Sequence, residues 1–245
     1  MILYRLCVAY IKIFPILIIM WIYLVCLLFG VVVLYKRYRN PPTHPHPILI
    51  GLAGKKRSGK DTVAEYLRRK LGFVQMSFAF PLKQALKALF LLSDEQLNGD
   101  KKEDVDEYWG VSPRFLMQKF GTEIIRTHAN LLVPGIGSEF WTRRLQMEYE
   151  RQYKNQGVPV VVSDVRFPNE AALIREMGGI VIYIDRPSLP SVDTHASEQS
   201  MSPSEAEFVI ENNTTIPDLY DKVEDTMDDI VFLLNIREHT IPGTF

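Results

Sequence analysis

The stretch from residue 48 to 71 leaves this chain few folds to choose from. Residues 48–53 (ILIGLA) form a short uninterrupted apolar run, which fits a strand buried on both faces. It leads into Gly54-Lys55-Lys56-Arg57-Ser58-Gly59-Lys60 and then Asp61-Thr62. A helical pattern follows, with Val63, Leu67 and Leu71 on one side and Arg68, Arg69 and Lys70 on the other. Strand, glycine loop and helix form the context that makes G-x-x-x-x-G-K a phosphate-binding loop rather than an incidental turn. Glycines let the backbone wrap an anion, amides at the helix start point towards it, and Lys60 neutralises the outer phosphates. The residue after the lysine is usually a Ser or Thr whose hydroxyl meets Mg²⁺. Here it is Asp61, followed by Thr62. A carboxylate holds Mg²⁺ directly or through water, so both are candidate metal ligands.

The rest of the chain after residue 47 alternates between strand and helix patterns. Strands are predicted over 73–78, 158–163, 180–184 and 208–210, with helices over 82–91, 112–128, 138–154, 169–177 and 218–236. Residues 93–110 read as a polar loop. Ser112-Pro113 supplies a cap and a first-turn proline. Gly121 lies inside a helical pattern, where it costs about 1 kcal/mol against Ala, so a ligand or another helix is expected to approach it closely. The alternation implies an α/β fold of the P-loop NTPase kind: a parallel sheet of about five strands with helices on both faces.

Charge divides the chain. The total is 28 Lys+Arg against 29 Asp+Glu, yet residues 1–46 hold five bases and no acid. The remainder is therefore net −6 (23 bases, 29 acids), which disfavours direct nucleic-acid binding. With two cysteines, Cys7 and Cys26, no disulfide framework is expected. Residues 13–35 carry no charge and end at Lys36-Arg37-Tyr38-Arg39. A run of this length is long enough to span a bilayer, too long for a signal-peptide core and apolar on every face, unlike a core helix. The expectation is an N-terminal transmembrane helix, with the basic cluster placing the following domain in the cytoplasm. The domains expected are an anchor and Pro-rich linker (1–46), a nucleotide kinase domain (47–237) and a tail (238–245).

The loop KRSGKDT (56–62) resembles that of the bacteriophage-type deoxynucleoside monophosphate kinases, and an animal-type phosphomevalonate kinase loop is closely similar. Further segments continue the first resemblance in order: PLKQAL (81–86), LMQKFGTE (116–123), Trp141 with its Arg-rich helix, VVSDVR (161–166) with Glu170 beyond it, THASE (194–198) and IEN (210–212). The resemblance covers about residues 48–235. It implies ATP-dependent phosphorylation of deoxynucleoside monophosphates, with ATP and Mg²⁺ as cofactors. Alternatives are a phosphomevalonate kinase-like enzyme and a membrane-tethered nucleotide-binding protein without turnover. A homodimer is left open.

Ligands of such sheets bind beyond the carboxyl ends of the strands, so Asp164 and Arg166 are expected to face the site. Arg166 has the planar fork that clamps phosphate. Asp164 suits Mg²⁺ or its waters, or an arginine, and a structural Asp–Arg pair is the bland alternative. Lys60, Arg166 and Asp164 are the catalytic candidates. ATP is expected at Gly54, Arg57, Ser58, Gly59, Lys60, Asp61, Thr62, Arg186 and Asn212. By resemblance, the acceptor is expected at Lys56, Leu82, Lys83, Gly121, Thr122, Arg126, Trp141, Asp164, Arg166 and Glu170. Trp141 serves equally well as base-stacking surface or as core. His195 and Glu198 read as lid or positioning residues, because transfer between phosphates scarcely needs a base.

Overall fold

A computed structural model describes residues 48–189 and 201–240, the last four as backbone only. Five parallel strands form one sheet: β1 (Leu49–Ala53), β2 (Val74–Met76), β3 (Val160–Val165), β4 (Ile180–Asp185) and β5 (Phe208–Glu211), in the order β2-β3-β1-β4-β5. The helices are α1 (Lys60–Leu71), α2 (Ala79–Phe90), α3 (Asp94–Asn98), α4 (Pro113–Gln118), α5 (Phe140–Gln152), α6 (Pro168–Glu176) and α7 (Ile216–Thr240). A π-helical segment, Lys119–Arg126, continues directly from α4.

The period-2 alternation of the strands divides the core into two layers. Ile50, Leu52, Ile180, Ile182 and Ile184 face α1 and α7, where Val63, Leu67, Leu219 and Val223 are buried. Leu49, Ala53, Val160, Val162, Val181 and Tyr183 face the other layer, with Leu82, Leu86, Trp141, Leu145 and Ile174. Central strands covered on both faces need nearly continuous apolar sequence, which is what β1, β3 and β4 have.

One irregularity matters for the site. Gly51 pairs with Val162, but Ala53 pairs with Val165, so β3 carries one extra residue at Ser163-Asp164. This bulge breaks the alternation and re-aims side chains at the end of the strand. Asp164 is thus inside β3, not past its end as the sequence suggests.

The membrane part of the expected fold, and the single-pass localisation drawn from it, are corrected. Among the described residues no helix is long and apolar enough to cross a membrane. Residues 13–35, on which both expectations rested, lie outside the described residues.

Candidate active site

The loop between β1 and α1 is shaped by backbone conformations that side chains resist. Gly54 and Gly59 have φ of 137° and 107°, and Arg57 has φ 65°. A Cβ on Gly54 would collide with the Ile184 carbonyl oxygen, and one on Gly59 would come within 2.5 Å of the Asn212 amide nitrogen. Lys60 Nζ donates to the carbonyls of Gly54 and Lys55, both at 2.6 Å, tying the ammonium across the loop. Asn212, at the end of β5, donates to the Ser58 carbonyl at 2.8 Å and pins the loop from the side. Ser58 is fully buried, and its Oγ has no hydrogen-bond partner among the described residues.

Arg57, Gly59, Lys60, Asp61, Thr62, Arg186 and Asn212 line a cleft of about 380 Å³ beside this loop. All seven are residues expected at the ATP site. Thr214, Ile216 and Leu219 complete its wall. The sequence reading missed these three. Their signal is positional: they follow a strand end and open α7, where a wall of the site is built.

The second group of predicted residues gathers around the carboxyl end of β3. Asp164 accepts hydrogen bonds from the Phe78 amide (2.8 Å), the Ala79 amide (2.8 Å) and the Ser77 hydroxyl (2.9 Å). Its carboxylate therefore caps the start of α2. This differs from both expected partners, a metal and an arginine. The cap fixes the helix that presents Lys83, whose Nζ donates to Asn98 Oδ1 at 2.9 Å. Burial, then the charge of Lys102, lowers the Lys83 ammonium below the usual lysine range, against the opposing pull of Asp164 and Asp61; Arg166 adds to the lowering. Lys83, Asp61, Asp164, Arg166 and Lys102 are therefore electrostatic neighbours.

Arg126 is committed elsewhere. Its guanidinium pairs with Glu170 at 2.5 Å, reaches Asn169 at 3.3 Å and lies 3.8 Å over the Phe167 ring. The other Glu170 oxygen accepts from the amides of Arg166 (2.9 Å) and Phe167 (3.1 Å). Glu170 is only 2% exposed. Burial pushes its carboxyl up to about 6, against the lowering effect of Arg126 and the two amides. Arg126 and Glu170 thus hold the turn that carries Arg166.

Gly121 and Trp141 answer the question the sequence left open. A Cβ on Gly121 would lie 2.8 Å from Leu82 Cδ2, so the close approach is of helix to helix. Trp141 is buried, and its indole nitrogen donates to the Gly121 carbonyl at 2.9 Å. It sits in the core rather than on an open stacking surface. The Thr122 carbonyl accepts from the Thr127 hydroxyl. His195 and Glu198 lie outside the described residues.

A sequence profile of the deoxynucleotide monophosphate kinase family matches residues 48–101 and 93–223. The chain belongs to the deoxynucleotide monophosphate kinase family. The kinase is 45% identical over 186 residues to a protein of Acanthamoeba polyphaga mimivirus named as a deoxynucleotide monophosphate kinase, spanning 74% of this chain and 96% of that one. It is 23% identical over 245 residues to the deoxynucleotide monophosphate kinase of Enterobacteria phage T4, spanning 73% and 98%. Among solved structures, a gluconokinase from Sinorhizobium meliloti 1021 aligns with TM-score 0.44 and 14% identity over 78% of this chain and 97% of that one. The family match disfavours both alternatives, the phosphomevalonate kinase-like enzyme and the nucleotide-binding protein without turnover. The kinase's loop and cleft suit a nucleoside triphosphate, and its β3 end suits a second, anionic ligand.

Proposed function

We propose that this kinase transfers the terminal phosphoryl group of ATP to a deoxynucleoside monophosphate, giving the diphosphate, with residues 47–237 as the catalytic unit. The observation that carries the reading is the loop 54–60, with two glycines in left-handed conformations and Lys60 drawn across it. Its amides and Lys60 would cradle the β- and γ-phosphates, and Arg57, Arg186 and Asn212 would border the nucleoside in the adjoining cleft. The buried Ser58 hydroxyl would turn to a phosphate oxygen, gaining the bond it otherwise lacks.

Mg²⁺ fits the donor set. Among the described residues no cluster of three or more His, Cys, Asp or Glu could hold a metal. Mg²⁺ in phosphoryl-transfer sites usually takes one or two protein oxygens, with substrate phosphates and water supplying the rest. Asp61 and Thr62 would supply those oxygens here, and the ion would supply charge neutralisation.

The acceptor phosphate would lie between the loop and the end of β3, held by Lys56, Lys83 and Arg166. Leu82, Gly121, Thr122 and Trp141 would form the packed floor behind it. Asp164, Arg126 and Glu170 act through their neighbours: Asp164 sets α2 and hence Lys83, and the Arg126–Glu170 pair sets Arg166. Catalysis is then positioning plus charge neutralisation along an in-line path.

The test is Mg²⁺-ATP-dependent conversion of a panel of deoxynucleoside monophosphates, with phosphomevalonate alongside, by the wild type and Lys60→Ala. The expected result is diphosphate product from at least one deoxynucleotide and a loss on the order of 10²–10³ in kcat for the variant, as for removal of one charge-stabilising donor. No diphosphate from any deoxynucleotide would overturn the reading.

A further inference from the structure

A carboxylate stands where cations have gathered. Glu103 Oε1 lies 3.1 Å from Lys56 Nζ in the phosphate loop and 3.5 Å from Arg114 Nε in the first turn of α4. One oxygen thus bridges two cations from segments far apart in sequence. The residue before it, Lys102, is the charge that most depresses Lys83. Lys56 is itself one of the cations proposed to hold the acceptor phosphate, so the bridge occupies part of that proposed site. The Arg114 side chain is 17% exposed, whereas that of Glu103 is 61% exposed. The cation is held by the fold, and the anion sits on the outside of it.

We propose that Glu103 is a built-in competitor of the acceptor phosphate. Its carboxylate holds Lys56 and Arg114 together and oriented until the acceptor arrives, and the phosphate monoester then takes its place. Arg114 is thereby a further acceptor-phosphate ligand. The proposal rests on the reading that the acceptor is a monophosphate.

The exchange is physically favourable. The Lys56–Glu103 pair, with side chains 38% and 61% exposed, is weak, because water competes for both partners. A phosphate monoester carries about −1.5 to −2 charge at pH 7 and three strong acceptor oxygens. It can meet the Arg114 fork with two oxygens and Lys56 with the third, whereas Glu103 offers the pair a single oxygen. No covalent step is involved; one anion replaces another. Glu103 therefore lowers apparent acceptor affinity without touching the chemistry.

Steady-state kinetics on the full chain test this with Glu103→Gln, which keeps the shape and removes the charge. The acceptor KM should fall about 3–10-fold, with kcat within twofold and the ATP KM unchanged. Arg114→Ala should raise the acceptor KM at least tenfold, and Glu103→Gln added to it should bring a smaller gain than it brings in wild type, from Lys56 alone. An acceptor KM that is unchanged or raised in Glu103→Gln overturns the proposal, as does a full gain in the Arg114→Ala background. A wild type inactive on every deoxynucleotide would sink the proposed function instead. Calorimetry with inorganic phosphate, after saturation with the β,γ-imido analogue of ATP, then decides the competitor separately. Tighter phosphate binding by Glu103→Gln, lost with Arg114→Ala, supports it; equal binding to wild type overturns it.

Discussion

Glu170 is the residue at which burial and charge oppose each other most directly. Its carboxylate is held by Arg126 and two backbone amides, yet desolvation outweighs them and raises its pKa to about 6 from 4.5. A raised carboxyl means that the folded state binds its proton more tightly than the unfolded state. This group's contribution to stability is therefore most favourable below pH 4.5 and declines as pH rises through 6. The size is about 2 kcal/mol, since one pKa unit corresponds to 1.36 kcal/mol. Denaturant titrations of wild type and Glu170→Gln between pH 4 and 8 should show it: the stability of wild type relative to the variant falls across pH 4.5–6 and then levels off. A difference that stays flat, or grows with pH, would mean that Arg126 and the amides hold the charge more strongly than burial opposes it. Activity should move the other way in the same window. Protonation weakens the hold on Arg126 and on the turn carrying Arg166, so turnover should decline below pH 6.

At the level of elements, what was legible in the sequence is what local pattern controls. The loop 54–60 and α1 follow from glycines and a lysine within a few residues of one another, and β1, β3 and β4 from apolar runs. The start of α2 was not legible. The sequence places it at Leu82, but its cap is the Asp164 carboxylate, 85 and 86 positions away from the amides it accepts. The π-helical stretch at Lys119–Arg126 was likewise hidden, because Gly121 is tolerated there through contact with Leu82 and Trp141. By contrast, α3 was missed although its signal is local: Ser93 and Gln96 form a reciprocal capping box. For the site, the residues expected at ATP line one cleft because the loop after β1, Arg186 after β4 and Asn212 after β5 all follow strand ends. The roles of Arg126 and Asp164 depend on partners that only folding supplies. One element end carries visible strain. Leu91 closes α2 with φ 55° and ψ 32°, a left-handed conformation, while the residue is 87% exposed. Replacing it by glycine removes almost no burial and relieves the Cβ clash. Leu91→Gly should stabilise the protein by about 0.5–1 kcal/mol, the relief of the left-handed strain less the extra chain entropy of glycine, seen as a higher denaturation midpoint at unchanged m-value. A lower midpoint would show that the leucine is covered by something in solution.

For the kinase unit as a whole, strand order decides what a ligand can link. In the order β2-β3-β1-β4-β5 the chain leaves β1 for the β2 side and later crosses back to β4, and because every pair is parallel the carboxyl ends of all five strands open on one edge of the sheet. The cleft beside the glycine loop draws on three separate parts of this edge: the loop after β1, Arg186 after β4, and residues from Asn212 to Leu219 running from β5 into α7. The core layer beneath it, with Leu219 and Val223 packed on Ile182 and Ile184, is continuous with the cleft wall. A ligand there binds the assembled sheet and not its parts, so its binding free energy adds to the stability of the whole unit. ATP at 100 times its Kd should add about 2.7 kcal/mol. For a unit of this size that is a rise of roughly 5–10 °C in Tm. Differential scanning fluorimetry across an ATP titration should show Tm rising with the logarithm of concentration, and Lys60→Ala should need far more ATP for the same shift. If ATP left Tm unchanged while still being turned over, nucleotide binding would be confined to a locally mobile loop, and the linkage through β4, β5 and α7 would be wrong.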